Sequence, residues 1–194
     1  LHADRPELRH PGLTLFADLR FDIRPGLSFV RGGDGRGKTS LLRLMAGDLK
    51  PDAGRIARTA TEVFWFDPRE PGLDTVGLRA WLAQQRDSFA QWDAQRESQL
   101  LAAFDLAPHL DKTFFMVSTG TRRKTGLVAA FSSGAALTLL DMPYAALDAS
   151  ARDVVTRSLD GAARQSERAF VVADFELPPG LQASHLSGLI ELGD

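Results

Sequence analysis

The pattern of apolar and polar positions predicts a series of short strands in the N-terminal third of the chain. Apolar residues there alternate with polar ones or form short runs bounded by Gly and Pro, as they do in strands. The segments are residues 13–16, 19–23 and 27–30, the surroundings of Ile56, and residues 63–66. Because the last of them is entirely apolar, we expect it to be buried on both faces.

Helical spacing of apolar residues begins at Lys38. Leu41, Leu44 and Met45 follow it three or four positions apart, which places them on one face of a helix. Gly47 is placed to end this helix as its C-terminal cap. The glycine-rich segment before Lys38 therefore joins a predicted strand to a predicted helix.

A helical lobe is predicted over residues 75–130, with Asp74 or Thr75 placed to cap its first helix. The apolar residues at helical spacing are Leu78, Trp81 and Leu82 in one helix and Leu100, Leu101 and Phe104 in the next. Beyond the lobe we expect a buried strand over 136–140, a helix over 149–165, a strand over 169–173 and a closing strand near 189–190.

Strands that alternate with helices predict an α/β fold with a mainly parallel core sheet covered on both faces. The strand-rich start of the chain adds an N-terminal antiparallel β portion. We expect one domain over residues 1–194, in which 1–74 and 131–194 form the core and 75–130 the inserted helical lobe.

Composition narrows the possible partners. The 194 residues include 23 Lys or Arg and 25 Asp or Glu, so a net charge of -2 gives no basic surface typical of nucleic-acid binding. The absence of Cys excludes disulfides and thiolate metal sites and fits a reducing cytosol. The longest apolar runs are too short to span a bilayer, so work at a membrane would need another chain.

The glycine-rich segment satisfies the spacing G-x-x-x-x-G-K-[ST] of a phosphate-binding loop, in which backbone N–H groups curl around phosphates. In that geometry Lys38 would reach the β- and γ-phosphates of ATP, and the Thr39 hydroxyl would ligate Mg²⁺. The residues predicted to bind the nucleotide here are Gly32, Gly33, Asp34, Gly35, Arg36, Gly37, Lys38, Thr39 and Ser40.

Three further segments resemble, in the same order, those of ABC transporter ATP-binding subunits. Residues 41–56 resemble the helix and turn that follow the phosphate loop in that family, and residues 136–148 its Walker B strand and D-loop. Val117-Ser118-Thr119-Gly120-Thr121 stands where the family has its signature, usually Leu-Ser-Gly-Gly-Gln. The resemblance covers almost the whole chain and implies a P-loop NTPase fold of the ABC type.

The resemblance also implies roles for single residues. Lys38 and Asp141 would be the catalytic pair, and Thr39 and Asp141 would hold Mg²⁺, a role that suits a carboxylate at the end of a buried strand. Ser118 and Gly120 open a helix and would grip the γ-phosphate of ATP bound to an opposing subunit, although a Ser at this position is often a simple helix cap.

Two more expectations follow from the family. Asp148 would lie at the interface of a head-to-tail dimer that encloses two ATP molecules. An aromatic ring that stacks on adenine is expected upstream of Val30, where His10 is the first choice and Phe16 the second.

Several positions depart from the family pattern. Met142 stands where the family has the Glu that polarises the attacking water, and Phe175 where it has a His that contacts the γ-phosphate. Phe66 replaces the Q-loop Gln, and Thr119 and Thr121 alter the signature. Because Met cannot accept a proton, we expect turnover to fall by about 10²- to 10⁴-fold.

The departures leave alternatives open. Asp67 or Asp174 could replace the absent Glu, the subunit could be a slow or inactive member of a pair, or Met142 could be an engineered or sequencing change. Arg122, Arg123 and Lys124 could hold phosphate at the dimer seam, but three basic residues on a helix are more often a solvated face.

The function expected from the resemblance is ATP-driven dimer closure coupled to an integral membrane subunit, with hydrolysis impaired. The partners would be ATP with Mg²⁺, that membrane subunit and a second ATP-binding subunit, and the protein would lie on the cytoplasmic face of the cell membrane. The chain's compactness is closer to the haem-export subunits of cytochrome c assembly than to longer importers.

One rival is a non-hydrolysing, ATP-gated regulatory subunit paired with an active ATPase. A DNA-repair ATPase of the same class is disfavoured, because only 79 residues separate Lys38 from Ser118 and leave no room for long coiled coils. We therefore expect no nucleic-acid partner.

Overall fold

A computed structural model describes residues 1–10, 13–178 and 180–193. The side chains of five of them lie outside the description: Arg9, His10, Leu13, Thr14 and Pro71. The chain divides into two compact units. The first comprises Leu1–Trp65, Ala136–Met142 and Leu159–Asp194, and the second Phe66–Ala135 and Pro143–Ser158. The boundaries predicted for the lobe, residues 75–130, stay a prediction.

The first unit contains the strands and the helix that follows the glycine-rich segment. In chain order the strands are β1 (His2–His10), β2 (Leu13–Phe16), β3 (Arg20–Asp22), β4 (Gly26–Arg31), β5 (Ala53–Ala57), β6 (Val63–Trp65), β7 (Leu137–Asp141), β8 (Ala169–Asp174) and β9 (Leu186–Glu191). Helix α1 (Lys38–Ala46) lies between β4 and β5.

The predicted parallel core sheet is confirmed. Its order is β6-β7-β8-β4-β9, and neighbouring strands run parallel. Strands β4, β7 and β8 are almost continuously buried, as expected for apolar runs covered on both faces. Their carboxyl ends meet at one edge of the sheet, which is where α/β proteins of this kind bind ligands.

The antiparallel portion is also confirmed, but its central strand was not predicted. Strand β1 pairs with β2, β3 and β5, all in the antiparallel sense. Its sequence, His-Ala-Asp-Arg-Pro-Glu-Leu-Arg-His, lacks the alternation that marks a strand, and its pairing register shifts between Asp4 and Glu7. Backbone pairing on two sides holds this segment extended, so the side-chain pattern carries little signal.

One local prediction holds in part and another is wrong. In the edge strand β6, Phe64 is buried on one face, whereas Val63 and Trp65 on the other face pack against the core but are only half-buried. The cap of the first lobe helix is Gly77 rather than Asp74 or Thr75, since the carboxylate of Asp74 accepts a hydrogen bond from Arg122. Gly47 does end α1 as predicted: its φ is +91° and its N–H donates to the carbonyl of Arg43.

The second unit is helical. Its helices are α2 (Leu78–Ser88), α3 (Ala94–Ala103) and α4 (Thr119–Ser132), and α5 (Ala149–Ala163) begins in it. Short 3-10 turns connect them at Pro71–Leu73, Ala107–His109 and Phe114–Met116. Within the described ranges, no helix is long and apolar enough to cross a bilayer.

An aromatic cluster organises this unit around Phe66, which we predicted to stand in place of the Q-loop Gln. The Phe66 ring centroid lies 4.9 Å from that of Trp81 and 6.2 Å from that of Phe114. A Cβ atom added at Gly126 in α4 would lie only 2.2 Å from the Phe66 ring. The ring therefore packs directly on the backbone of α4, and this close approach requires Gly126.

Two helical glycines give a matched test of that contact. Gly161→Ala in α5 meets no atom within 4 Å, so it should stabilise by about 0.5–1 kcal/mol through helix propensity. Gly126→Ala makes the same helical gain but forces the Phe66 ring out of its cluster, and overpacking of this kind costs about 1–3 kcal/mol. Urea-unfolding midpoints should therefore rise for Gly161→Ala and fall for Gly126→Ala. Equal rises would show that Phe66 does not constrain α4.

Candidate nucleotide-binding site

The loop between β4 and α1 has the backbone that a phosphate site needs. Gly35 and Gly37 have φ values of +72° and +86°, in the left-handed region that favours glycine. Gly37 is the N-cap of α1 and has no side chain, so it supplies no capping oxygen to the N–H groups of the first turn. Those N–H groups and the positive end of the helix dipole suit an anion.

Lys38 is held inside this loop. Its side chain is buried, and Nζ donates hydrogen bonds of 2.7 Å to the carbonyl oxygens of Gly32 and Gly33. The same Nζ lies 4.1 Å from the centroid of the Phe175 ring, a cation–π contact. Two carbonyl oxygens and one aromatic face thus surround the ammonium group.

The two residues expected to hold Mg²⁺ are in direct contact. The Thr39 hydroxyl donates a 2.6 Å hydrogen bond to Oδ2 of Asp141. Asp141 ends β7 and Thr39 lies in the first turn of α1, so the sheet and the loop bring together residues 102 positions apart. Hydroxyl and carboxylate oxygens are ligands that Mg²⁺ prefers, so these residues fit that ion.

The remaining predicted loop residues differ in exposure. Asp34, Gly35 and Arg36 are exposed at the tip of the loop, and Ser40 is half-buried in α1. Phe16 is buried and packs under the loop: a Cβ atom at Gly37 would lie 3.1 Å from its ring. That position is typical of packing rather than of an adenine stack. The backbone of His10 lies in β1, but its side chain is outside the described residues.

Met142 and Phe175 follow the ends of the neighbouring strands β7 and β8. Met142 adopts φ +46°, uncommon for a residue other than Gly, and its N–H donates to the carbonyl of Ala173 at 2.8 Å. Phe175 is 39% exposed at the bend after β8. A thioether and a phenyl ring thus follow the two strand ends at which the sequence resemblance led us to expect a carboxylate and an imidazole.

The carboxylates considered as replacements for the missing Glu both make local hydrogen bonds. Asp174 accepts from the N–H of Phe175 at 2.8 Å. Asp67 belongs to the second unit and accepts from the backbone N–H and the Nε of Arg69, at 2.9 and 3.0 Å.

The signature-like residues lie in the second unit at the start of α4. The Ser118 hydroxyl oxygen accepts a 3.1 Å hydrogen bond from the N–H of Thr121, so Ser118 is the N-cap of α4. A Cβ atom at Gly120 would lie 2.5 Å from the carbonyl oxygen of Ala146. Gly120 is therefore required by the close approach of the chain at 146.

Of the two interpretations left open for Arg122, Arg123 and Lys124, the solvated face does not fit the structure. Arg122 donates to the carbonyls of Phe114 and Pro68 and to Asp74, and its side chain is only 16% exposed. Arg123 donates to the carbonyl of Ala145, and Lys124 to Asp148 at 2.8 Å. All three tie α4 to other segments of the second unit, contacts that sequence spacing did not indicate.

The carboxylate of Asp148 accepts the hydrogen bond from Lys124. Its Oδ1 accepts from the N–H of Ala151 at 2.8 Å and from the Ser150 hydroxyl at 3.0 Å, which caps α5. The hydrogen bond from Lys124, followed by those from Ala151 and Ser150, holds the pKa of Asp148 well below its ordinary value. The carboxylate is therefore charged at neutral pH. Asp148 lies three positions before Ala151, whose N–H in the first turn of α5 it caps. This spacing is a capping signal that the sequence contained.

The comparison with known proteins gives one family. A model of the ABC transporter family matches residues 16–145. The chain is 32% identical over 153 residues to the cytochrome c biogenesis ATP-binding export protein CcmA of Hyphomonas neptunium, covering 76% of each protein. It is 30% identical to CcmA 2 of Salmonella paratyphi A, covering 92% of this chain and 88% of that protein.

Other similar proteins have names that state a different role from that of CcmA. The taurine import ATP-binding protein TauB of Pseudomonas fluorescens is 30% identical, over 79% of this chain and 63% of its own length. Among solved structures, a Pyrococcus furiosus protein described as an ABC transporter ATP-binding protein superposes with a TM-score of 0.75, at 17% identity, and covers 98% of this chain and 96% of its own. That likeness concerns the fold alone.

Asp148 gives a test that depends on pH. Asp148→Ala should lower the thermal midpoint at pH 7 more than Asp148→Asn, because Asn keeps the helix cap and loses only the ion pair with Lys124. Since the pKa of the folded state is below the ordinary value of 3.8, the stabilisation is present above about pH 4 and is lost as the pH falls below it.

The difference in midpoint between the native chain and Asp148→Asn should accordingly shrink from pH 7 to pH 3.5. Asp153→Asn, an exposed position on the same helix, serves as the control and should leave the midpoint unchanged. A difference that grows on acidification would contradict the assignment of the charge to Asp148.

Proposed function

The chain belongs to the ABC transporter family, and from that premise we propose that it is a transporter's ATP-binding subunit that binds Mg-ATP and closes as a dimer but hydrolyses ATP slowly. The loop around Lys38, with the Thr39–Asp141 contact beside it, is the observation that carries the binding part. The side chains of Met142 and Phe175 are the observations that support slow hydrolysis. The membrane partner and the position on the cytoplasmic face of the cell membrane belong to the proposal.

The residues of the phosphate loop divide the work of binding. Backbone N–H groups of the loop and of the first turn of α1 hold the inner phosphates. Lys38 would contact the outer phosphates, and the oxygens of Thr39 and Asp141 would hold Mg²⁺. When bound, Mg²⁺ neutralises charge on the β- and γ-phosphate oxygens.

Hydrolysis needs a group that orients the attacking water and accepts its proton. The thioether of Met142 cannot do this, and loss of such a base costs about 10²- to 10⁴-fold in rate. The side chain of Phe175 has no N–H to donate to the γ-phosphate, and loss of one such donor costs about 10²- to 10³-fold. Because the two groups would act together, the losses do not simply multiply. We infer that binding and closure persist with little turnover.

A second subunit completes the proposed site. Ser118 and Gly120 of one subunit would face the γ-phosphate held by the other, with the N-terminal end of α4 directed at it. ATP bound at this seam would shift the pair towards the closed state, which a membrane subunit senses. The relatives include export and import proteins, so the proposal is stated for the ATP-binding role that their names share.

A regulatory subunit without hydrolysis is the alternative that one observation favours. Both Met142 and Phe175 depart from the family pattern, and the partner would then be an active ATPase that carries the missing Glu and His. The native chain alone would bind ATP tightly and show no turnover, whereas a slow ATPase shows turnover that depends on Lys38.

Binding is tested by isothermal titration of the purified protein with Mg-ATP. The native chain should bind, and Lys38→Ala should bind at least about tenfold more weakly, because one charge-assisted contact is worth about 1.5–3 kcal/mol. Lys50→Ala, on the segment after α1, is the control and should match the native chain. Absence of Lys38-dependent binding would refute the proposed function.

Turnover is tested at position 142. Met142→Glu should raise phosphate release by about 10- to 100-fold, less than a full general base supplies, because Phe175 still lacks a donor. Met142→Gln is the matched control, since it has the length of Glu but accepts no proton, and it should stay at the native rate. If the native chain already turns over at an ordinary rate of about 10 s⁻¹, another residue positions the water, and Asp67 and Asp174 are the first to substitute.

A further inference from the structure

The Phe175 ring covers the ammonium group of Lys38, and we propose that this makes Phe175 a specificity-determining residue that lowers the affinity for ATP relative to ADP. The inference rests on the proposed function, because it concerns the same phosphate loop. It assigns Phe175 a role of its own, beyond the absence of a histidine.

The distances leave no room for a phosphate oxygen between the ring and the lysine. Nζ lies 4.1 Å from the ring centroid. A phosphate oxygen bonded to Nζ would lie about 2.8 Å from it, and a further ~3.5 Å separates non-bonded heavy atoms in contact. Ring and oxygen therefore compete for this side of the ammonium group.

The other sides of the ammonium group are already occupied. The nitrogen has three N–H bonds and one bond to its own side chain. Two of the N–H groups point to the carbonyl oxygens of Gly32 and Gly33, each at 2.7 Å, which leaves the third for the side that faces the ring. Charge-assisted hydrogen bonds of this length are among the stronger ones in proteins. The contact with the ring is weaker than these hydrogen bonds, so a phosphate oxygen would displace the ring first. Phe175 is 39% exposed, so the ring can move towards solvent.

The competition falls mainly on the γ-phosphate. Backbone N–H groups of a phosphate loop cradle the α- and β-phosphates, whereas the lysine reaches the β- and γ-phosphates. ADP offers Lys38 only its β-phosphate, which the loop backbone also holds, so its binding depends less on the lysine than that of ATP does. ATP adds the γ-phosphate, whose negative charge also contacts Lys38. The binding free energy of ATP therefore includes the cost of displacing the Phe175 ring.

The test compares the dissociation constants of Mg-ATP and Mg-ADP across variants of position 175. Phe175→Ala should raise the preference for ATP over ADP by roughly 2- to 30-fold, the range that corresponds to the strength of a cation–π contact. Phe175→Tyr keeps an aromatic face and should retain the native ratio. Phe115→Ala removes a ring that is 77% exposed in the second unit and should also leave the ratio unchanged.

Each outcome decides the inference. An unchanged ratio in Phe175→Ala, an equal gain for both nucleotides, or weaker ATP binding would overturn it, the last because the ring would then position Lys38 for phosphate. A thermal melt without nucleotide accompanies each variant, so that a folding defect is seen separately. If the native chain binds neither nucleotide and Lys38→Ala changes nothing, the proposed function fails instead.

Discussion

The parallel alignment of β4, β7 and β8 is the constraint on which the candidate site depends. Arg31 at the end of β4 pairs with Asp174, and Asp141 at the end of β7 pairs with Ala173. Because parallel strands end at the same edge, the phosphate loop, Asp141 and Phe175 are brought together from three distant parts of the sequence. The contacts of Lys38 with Phe175 and of Thr39 with Asp141 follow from this alignment.

In the proposed function, binding chemistry and hydrolysis chemistry are separated at this edge of the sheet. The loop glycines, Lys38, Thr39 and Asp141 keep the backbone curvature, charge and oxygen ligands that a nucleotide with Mg²⁺ requires. The two side chains next to them, Met142 and Phe175, carry no group that can take or give a proton. Met142 holds a left-handed conformation, which is uncommon for a residue other than glycine.

The second unit is ordered by close backbone approaches and by charges that are used internally. Gly126 admits the Phe66 ring, and Gly120 admits the carbonyl of Ala146. The basic residues after Ser118 donate to carbonyls and carboxylates of their own unit, and Lys124 also holds the carboxylate that caps α5. These contacts fix the position of the signature-like turn on α4.

Sequence alone determined the features that are local. The glycine loop, the helix that ends at Gly47 and the apolar runs of the parallel sheet could be read because spacing and residue type dictate them within a few positions. Only the tertiary structure decided that β1 is a strand, that β6 lies at an edge, that Phe66 enters an aromatic cluster, that the basic residues are engaged internally and that Phe175 covers Lys38. Each of these depends on what lies across a sheet or between helices, and contacts between residues far apart in the chain leave no periodic signal in the sequence.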